Sequence, residues 1–194
     1  MALNQSQEDF EKLEIFSGVQ GTITPGTATA AGTQIDGIRK VINDGVAAGT
    51  INKIIMGPPP TDAKLFVDYV ENYYKQIPDL YKNDLDKVFM SPSNQTLFKQ
   101  GMREKYNIHY SQVSDLTKII DTNVQVVGPA SHVATKKLWS TLKGNAVIGN
   151  KKPENEKIFK VESSKRTVSA YTDFFKGFGY WIPEWVWTND QDLV

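Results

Sequence analysis

The sequence predicts an α+β protein: a mixed sheet flanked by helices and continued by an elongated C-terminal β region. Three observations carry that expectation. Over residues 62–77, Phe66, Val70, Tyr73, Tyr74 and Ile77 recur at i, i+4, i+7, i+8 and i+11, the period of a helix with one buried face. Residues 85–107 read as a strand that Ser91-Pro92 stops and turns at once into a helix. From Asn123 onward the helical period gives way to short runs of strand-forming residues.

Taken in order, Gln5 to Phe16 predicts a short amphipathic helix with Phe10, Leu13 and Phe16 on one side. From Ile15 to Ile35 there is no charge, and Gly, Thr, Ala and Pro erase any period, which predicts a long loop over 18–33. Loops longer than about 12–15 residues are usually functional or flexible. This one reads either as a flexible connector or as a segment that orders against a neighbouring subunit. The expected division of the chain is therefore 1–33, helix and flexible loop, and 34–194, one α+β domain. A second helix is expected over 34–47 from Ile35, Ile38, Ile42 and Val46. Lys53–Met56 is extended and closed by Gly57 and three prolines, which forbid a helix there.

The tyrosine-rich helix follows, with Thr61 as its expected cap, Leu65 and Tyr69 widening its stripe and Pro78 ending it. Val88–Met90 is the strand before Ser91. A serine hydroxyl accepts from an orphan helical N–H, and a proline at the first helical position has no N–H to leave unpaired. Phe98, Leu97, Met102 and Tyr106 form that helix's apolar stripe, and Arg103 and Lys105 suit the negative end of its dipole. Asn123–Gly128, Lys137–Leu142 and Ala146–Gly149 read as strands, the last two joined by a Lys143-Gly144-Asn145 turn. Ile158–Glu162 and Thr167–Tyr171 continue the β region, Gly177 and Gly179 permit a bend or bulge, and Pro183 demotes the last strand to an edge or bent one. Nine of the 21 aromatic residues lie between Phe159 and Trp187, so this belt is either core or a face toward a partner. If it is core, truncating Trp181 or Trp185 is expected to cost about 3–5 kcal/mol.

The 194-residue chain has 22 Lys+Arg against 22 Asp+Glu, a balance that predicts no general affinity for nucleic acid or anionic membrane. It has no cysteine, which excludes disulfides, thiolate catalysis and zinc–thiolate sites. No run approaches the length of a membrane-spanning helix, and the acidic start does not read as a secretory signal. Phosphate-loop, dinucleotide, nucleophile-elbow and zinc-protease motifs are absent. His109 and His132 lie far apart in sequence, so a metal or Ser-His site (Ser131 and Ser140 are the candidate nucleophiles) is not the favoured reading. The carboxylate pairs Asp84/Asp86 and Glu154/Glu156 sit in polar surroundings and read as solvated. No catalytic, cofactor or metal-binding residue is assigned, and an enzyme is not expected. One asymmetry stands out: Lys136 to Arg166 holds nine basic and three acidic residues. Lys136, Lys137, Lys151 and Lys152 are the candidates for non-specific contact with polyanion, the alternative being a solvated hairpin.

Order and motifs together resemble a known family. A strand entering Ser91-Pro92 and a helix ending at Tyr106, a Val126-Val127-Gly128-Pro129 strand end, a Gly144-Asn145 turn and a closing aromatic pair ending near Pro183-Glu184 are similar to major capsid proteins of tailed bacteriophages, the Hong Kong 97-type fold. The similarity runs from about Ile54 to Asp190, carried by order and spacing rather than by any one motif. It implies a structural protein of a phage or prophage capsid shell. Such a protein associates with copies of itself and with scaffold or portal proteins, encloses DNA, and resides in the virion after assembly in the host cytoplasm. Trp181, Trp185 and Trp187 are then the candidate subunit contacts. The family's N-terminal arm and extended hairpin loop are not evident, which suggests a fragment of a full capsid protein. The alternative function is a small-ligand or carbohydrate-binding module that uses exposed rings such as Trp139 and Trp185.

Overall fold

The computed structural model describes residues 8–22, 24, 27, 29–107, 116–151, 160–164, 167–171 and 175–193. Nine strands and three α-helices of more than four residues organise them: α1 (Ile38–Ala47), β1 (Asn52–Ile54), α2 (Ala63–Lys75), β2 (Leu85–Phe89), α3 (Pro92–Tyr106), β3 (Gln125–Val127), β4 (Trp139–Leu142), β5 (Ala146–Lys151), β6 (Lys160–Ser164), β7 (Thr167–Tyr171), β8 (Phe175–Tyr180) and β9 (Val186–Asn189). The expected α+β class and the mixed sheet are both present. Five strands form the sheet in the order β1-β9-β4-β2-β3, parallel at its two outer pairs and antiparallel at its two inner ones.

Helices α2 and α3 cover one face. Phe66, Val70 and Ile77 from the predicted stripe are buried there with Phe98 and Met102, against Leu85, Val88, Val126, Leu138 and Trp187 of the sheet and its approaches. A bulge at Asp86 explains how Leu85 and Val88, three residues apart, face the same side. The register slips between Leu85 and Lys87, and without the slip the two-residue period would send one of them outward. Tyr73, fully buried, ties α2 to two strands. Its hydroxyl donates to the Trp187 carbonyl at 2.8 Å and therefore accepts from the Ser140 hydroxyl at 2.9 Å. Burial pushes its pKa far above the ordinary tyrosine range.

Both predicted helix starts are present, with one shift. Ser91 Oγ accepts from Asn94 N at 3.2 Å with Pro92 at the first position. The cap of α2 is Asp62 rather than Thr61, since its carboxylate accepts from Leu65 N at 3.0 Å. Leu65 consequently sits on the solvent side, 57% exposed, and does not widen the stripe. Asn107 ends α3 in the left-handed region, φ 50°, where asparagine is tolerated.

The two covering helices approach as closely as their backbones permit. A methyl group built on Gly101 would lie 2.0 Å from the Ala63 carbonyl oxygen. On their outer side Lys105 bridges Asp68 at 2.7 Å and Glu71 at 2.9 Å, and the Tyr106 hydroxyl donates to Glu71. Gly101→Ala therefore forces α2 and α3 apart, and we expect a loss of about 2–3 kcal/mol in urea unfolding, at the upper end of overpacking costs. A loss below ~0.5 kcal/mol would mean that the helices separate freely.

The opposite face is covered by α1 and the N-terminal turn. Phe16, Ile42, Ile51, Trp139 and Val186 form a smaller core there, with Ile38, Val46, Phe89 and Tyr180 packed against it. The expected N-terminal helix is helical over its described residues 8–14 and closes on a π-type bond, Ile15 N to Phe10 O at 3.2 Å, while residues 5–7 lie outside the described residues. Packing through Phe16 crosses the division drawn at residue 33. The uncharged loop is tied to its own chain at both ends. Glu14, 1% exposed, accepts from the backbone N–H groups of Gly32, Gln34 and Ile35, the last two at 3.2 and 3.4 Å. Those bonds, with Gly37 N donating to Gly18 O at 2.9 Å, also explain why α1 begins at Ile38 rather than Gln34.

Two expectations for the C-terminal half are corrected. The last strand, β9, is interior, between β1 and β4. Pro183 lies in a single turn of 3₁₀ helix before it, where its missing N–H interrupts no ladder. The Gly144-Asn145 turn, with Gly144 at φ 80°, does not fold β5 back on β4 but hands the chain to a second sheet, in which β5 pairs with β8.

Candidate subunit-contact surface

The described residues between 146 and 180 form a nested ribbon. β5 and β8 pair antiparallel from Ala146↔Tyr180 to Lys151↔Phe175, and within that loop β6 and β7 pair from Lys160↔Tyr171 to Ser164↔Thr167. Each pair is two-stranded, with no third strand among the described residues. At about 3.4 Å per residue the six-residue outer pair alone extends about 20 Å. Gly177 and Gly179 lie in regular ladder positions opposite Gly149 and Val147, so they make no bulge. A side chain at either would meet nothing within 4 Å, which leaves the backbone bare at these two positions.

Asn145 fastens the root. Its side-chain amide donates to Thr141 Oγ1 and to the Ile182 carbonyl, each at 2.9 Å, and its carbonyl oxygen accepts from Ile182 N at 2.8 Å. Its own backbone carbonyl accepts from Trp181 N at 3.0 Å. A buried asparagine satisfied on both ends of its amide holds the entering and leaving strands together. On the body side Tyr180 packs edge-on to Trp139 at 6.2 Å, and Lys176 lies 4.7 Å over the Phe10 ring.

The three candidate tryptophans separate sharply. Trp181, at the root of the ribbon, is 74% exposed. Trp185 is half-buried against the main core and borders an open groove of about 520 Å³ with Leu80, Tyr81, Asp84 and Asp86. Trp187 is 3% exposed, in the helix-covered core, because the period of β9 turns it inward. Trp187 is thus corrected from subunit contact to core residue, and Trp181 loses the status of a buried ring whose truncation unfolds the protein. Exposed apolar side chains along the ribbon include Ile148 and Val161.

The basic candidates separate too. Lys136 is exposed, and its backbone N–H donates to Asp192. Lys137 is corrected: it is fully buried, its ammonium donating to the Gln191 carbonyl at 3.0 Å, so it cannot meet a polyanion. Burial lowers its pKa to about 8. Lys151 ends β5, while Lys152 lies outside the described residues. So do Glu154, Glu156 and His109.

His132 is buried, with both ring nitrogens engaged. The Trp139 indole N–H donates to Nε2 at 3.0 Å, which leaves the proton on Nδ1, and Nδ1–H then donates to Ser131 Oγ at 3.0 Å. A histidine donating to the serine cannot be its base, so this contact is no nucleophilic pair. Trp139 itself is 3% exposed, which removes it as a sugar-binding platform. Among the described residues no group of three metal-ligating side chains forms, and no helix is long and apolar enough to cross a membrane.

Sequence signals did not reveal the two most informative groups. Asn145 was read only as a turn residue, and Glu14 only as one charge among several at the start of the chain. Neither burial nor backbone partners 18 to 21 residues away leave a local pattern. Comparison with known protein families, with curated proteins and with solved structures finds no match.

Proposed function

We propose that this chain is a structural protein of a phage or prophage capsid shell, of Hong Kong 97 type, that associates with copies of itself around DNA. The ribbon is the observation that carries the reading. Isolated two-stranded pairs are marginal in water and gain stability from a third strand or a packed face. Here such a ribbon is held rigidly at its root by Asn145 while its length presents Ile148, Val161 and bare backbone. Trp181 beside the root adds the kind of large ring that dominates subunit interfaces when it becomes buried. The order of motifs from the Ser91-Pro92 cap to the Pro183-Glu184 turn supports the same family. Scaffold or portal proteins are the further partners this reading assigns, and Lys136 is a candidate lysine, exposed among the described residues, for non-specific contact with DNA.

The test is electron microscopy of particles formed when the chain is expressed with its genomic neighbours. The expected result is shells that contain it, with Trp181→Ala lowering incorporation at least tenfold, as for an interface hot spot. Particles that consistently lack the chain would reject the proposal.

A further inference from the structure

We propose that His132 is a pH-sensitive latch whose protonation releases the N-terminal turn anchored by Phe16, while the helix-covered side of the sheet stays folded. This inference stands independently of the capsid reading. The geometry is a stack. Phe16 lies over the imidazole at 3.9 Å between ring centres, the shortest of the ring contacts around it, with Trp139 at 6.0 Å and Phe89 at 6.2 Å. In its edge, Trp139 Nε1–H fills Nε2 and Ser131 Oγ fills Nδ1–H. An indole N–H is a donor only. A second proton on Nε2 would therefore point at another N–H inside a site that is 2% exposed.

None of the charged or titratable side chains on the elements packed around the ring bonds to it. The N-terminal turn contributes Glu11, Lys12 and Glu14, and Glu14 is already engaged by the loop N–H groups. The start of α1 contributes Arg39, whose backbone N–H donates to Phe16 O at 3.0 Å. β2 contributes Asp86 and Lys87, which lie 3.7 Å from each other, and β8 contributes Lys176 and Tyr180. The turn that carries His132 has no charge, and β4 offers hydroxyls but no carboxylate. Burial is accordingly the sole cause that lowers the ring's pKa, to about 4.

The sign follows from proton counting. Between the ordinary histidine value of about 6.5 and 4, the opened form binds a proton that the closed form does not. Closure is therefore fully favoured above about pH 6.5 and weakens as pH falls through that window. Among the described residues the core on this face holds five buried apolar residues against eighteen on the other, so it is the layer that opens at lower cost.

Native-state hydrogen exchange across pH, corrected for intrinsic rates, tests the latch. The amides of Ile38 and Arg39, which bond to Ile15 O and Phe16 O, report the turn; the amide of Asn189, which bonds to Leu138 O, reports the sheet. Between pH 7 and 4.5 the turn amides are expected to lose protection by about 60-fold, with Asn189 changing less than about threefold. His132→Phe keeps a ring in the stack and should make turn protection independent of pH, whatever its absolute level. Carbon shifts of the His132 ring in the unaltered protein should show the Nδ1–H tautomer at neutral pH. The proposal is overturned if turn protection does not change with pH, if Asn189 loses protection in step with it, or if His132→Phe keeps the wild-type profile.

Discussion

Trp187→Ala is expected to lower the free energy of unfolding by about 3–5 kcal/mol, the range for large buried aromatic side chains, and Trp181→Ala to leave it within about 0.5 kcal/mol. The two residues are six apart in sequence and opposite in setting. Trp187 is 3% exposed, lies 5.3 Å from the Tyr81 ring, and supplies the carbonyl that accepts from the buried Tyr73 hydroxyl. Its removal opens a cavity in the middle of the main core, between β1 and β4, where neighbouring backbones are fixed by ladder bonds and collapse is limited. Trp181 is 74% exposed and its only described anchorage is through the backbone to Asn145, which alanine keeps. Urea unfolding followed by circular dichroism decides the matter: the midpoint should fall for Trp187→Ala with little change in slope. Equal losses for both variants would place the Trp181 ring in the core. Loss of shell incorporation without loss of stability in Trp181→Ala is the signature that separates an interface ring from a structural one.

These two tryptophans also show how far the sequence could be read. The α2 stripe and the Ser91 cap were legible because each is local. Helical spacing places Phe66, Val70 and Ile77 on one face whatever they pack against, and a Ser-Pro cap is written in two residues. The aromatic belt was not legible because strand order is not local. Whether Trp187 or Trp181 turns inward depends on β9 inserting between β1 and β4, a pairing with Asn52 at 135 residues' separation and with Ser140 at 47. Pro183 argued for an edge strand, and that argument fails only because the proline ends up in the turn before β9. Lys137 illustrates the same limit for charge. It belongs to a basic run, but the packing of residues 190–192 buries it under the Gln191 carbonyl. His132 was undecidable from spacing alone, since its partners Ser131 and Trp139 are common residues with no required interval.

Glu14→Ala should cost about 3 kcal/mol, and the loss should be confined to the N-terminal face. In the folded chain the carboxylate is buried and receives three backbone N–H groups, from Gly32, Gln34 and Ile35. Hydrogen bonds to a charged group contribute about 1.5–3 kcal/mol each in favourable cases, and a buried donor left unpaired costs about 1–3 kcal/mol. Summed naively, three such bonds exceed the expected loss. The difference is that the loop has an escape. Gly32 and Gln34 lie near the surface, so on losing the carboxylate their N–H groups can turn to water at the cost of the loop's order alone. The loss is capped by the free energy of opening that segment, which the small core around Phe16 keeps low. Hydrogen exchange should therefore show the Gly32, Gln34 and Ile35 amides losing protection while the Val88 and Asn189 amides keep theirs. Glu14→Gln, which retains one acceptor oxygen of the same reach, should recover about half of the loss. Uniform loss of protection across the sheet would mean that Glu14 supports the whole fold. No loss at all would mean that the loop is held by its own turns, Thr33 N to Ala30 O and Gly21 N to Thr33 O, without the carboxylate. The first outcome, local loss, is the one that the separation of the two cores demands: a segment anchored by one side chain on the thinner face can detach without the eighteen-residue core on the other face being disturbed.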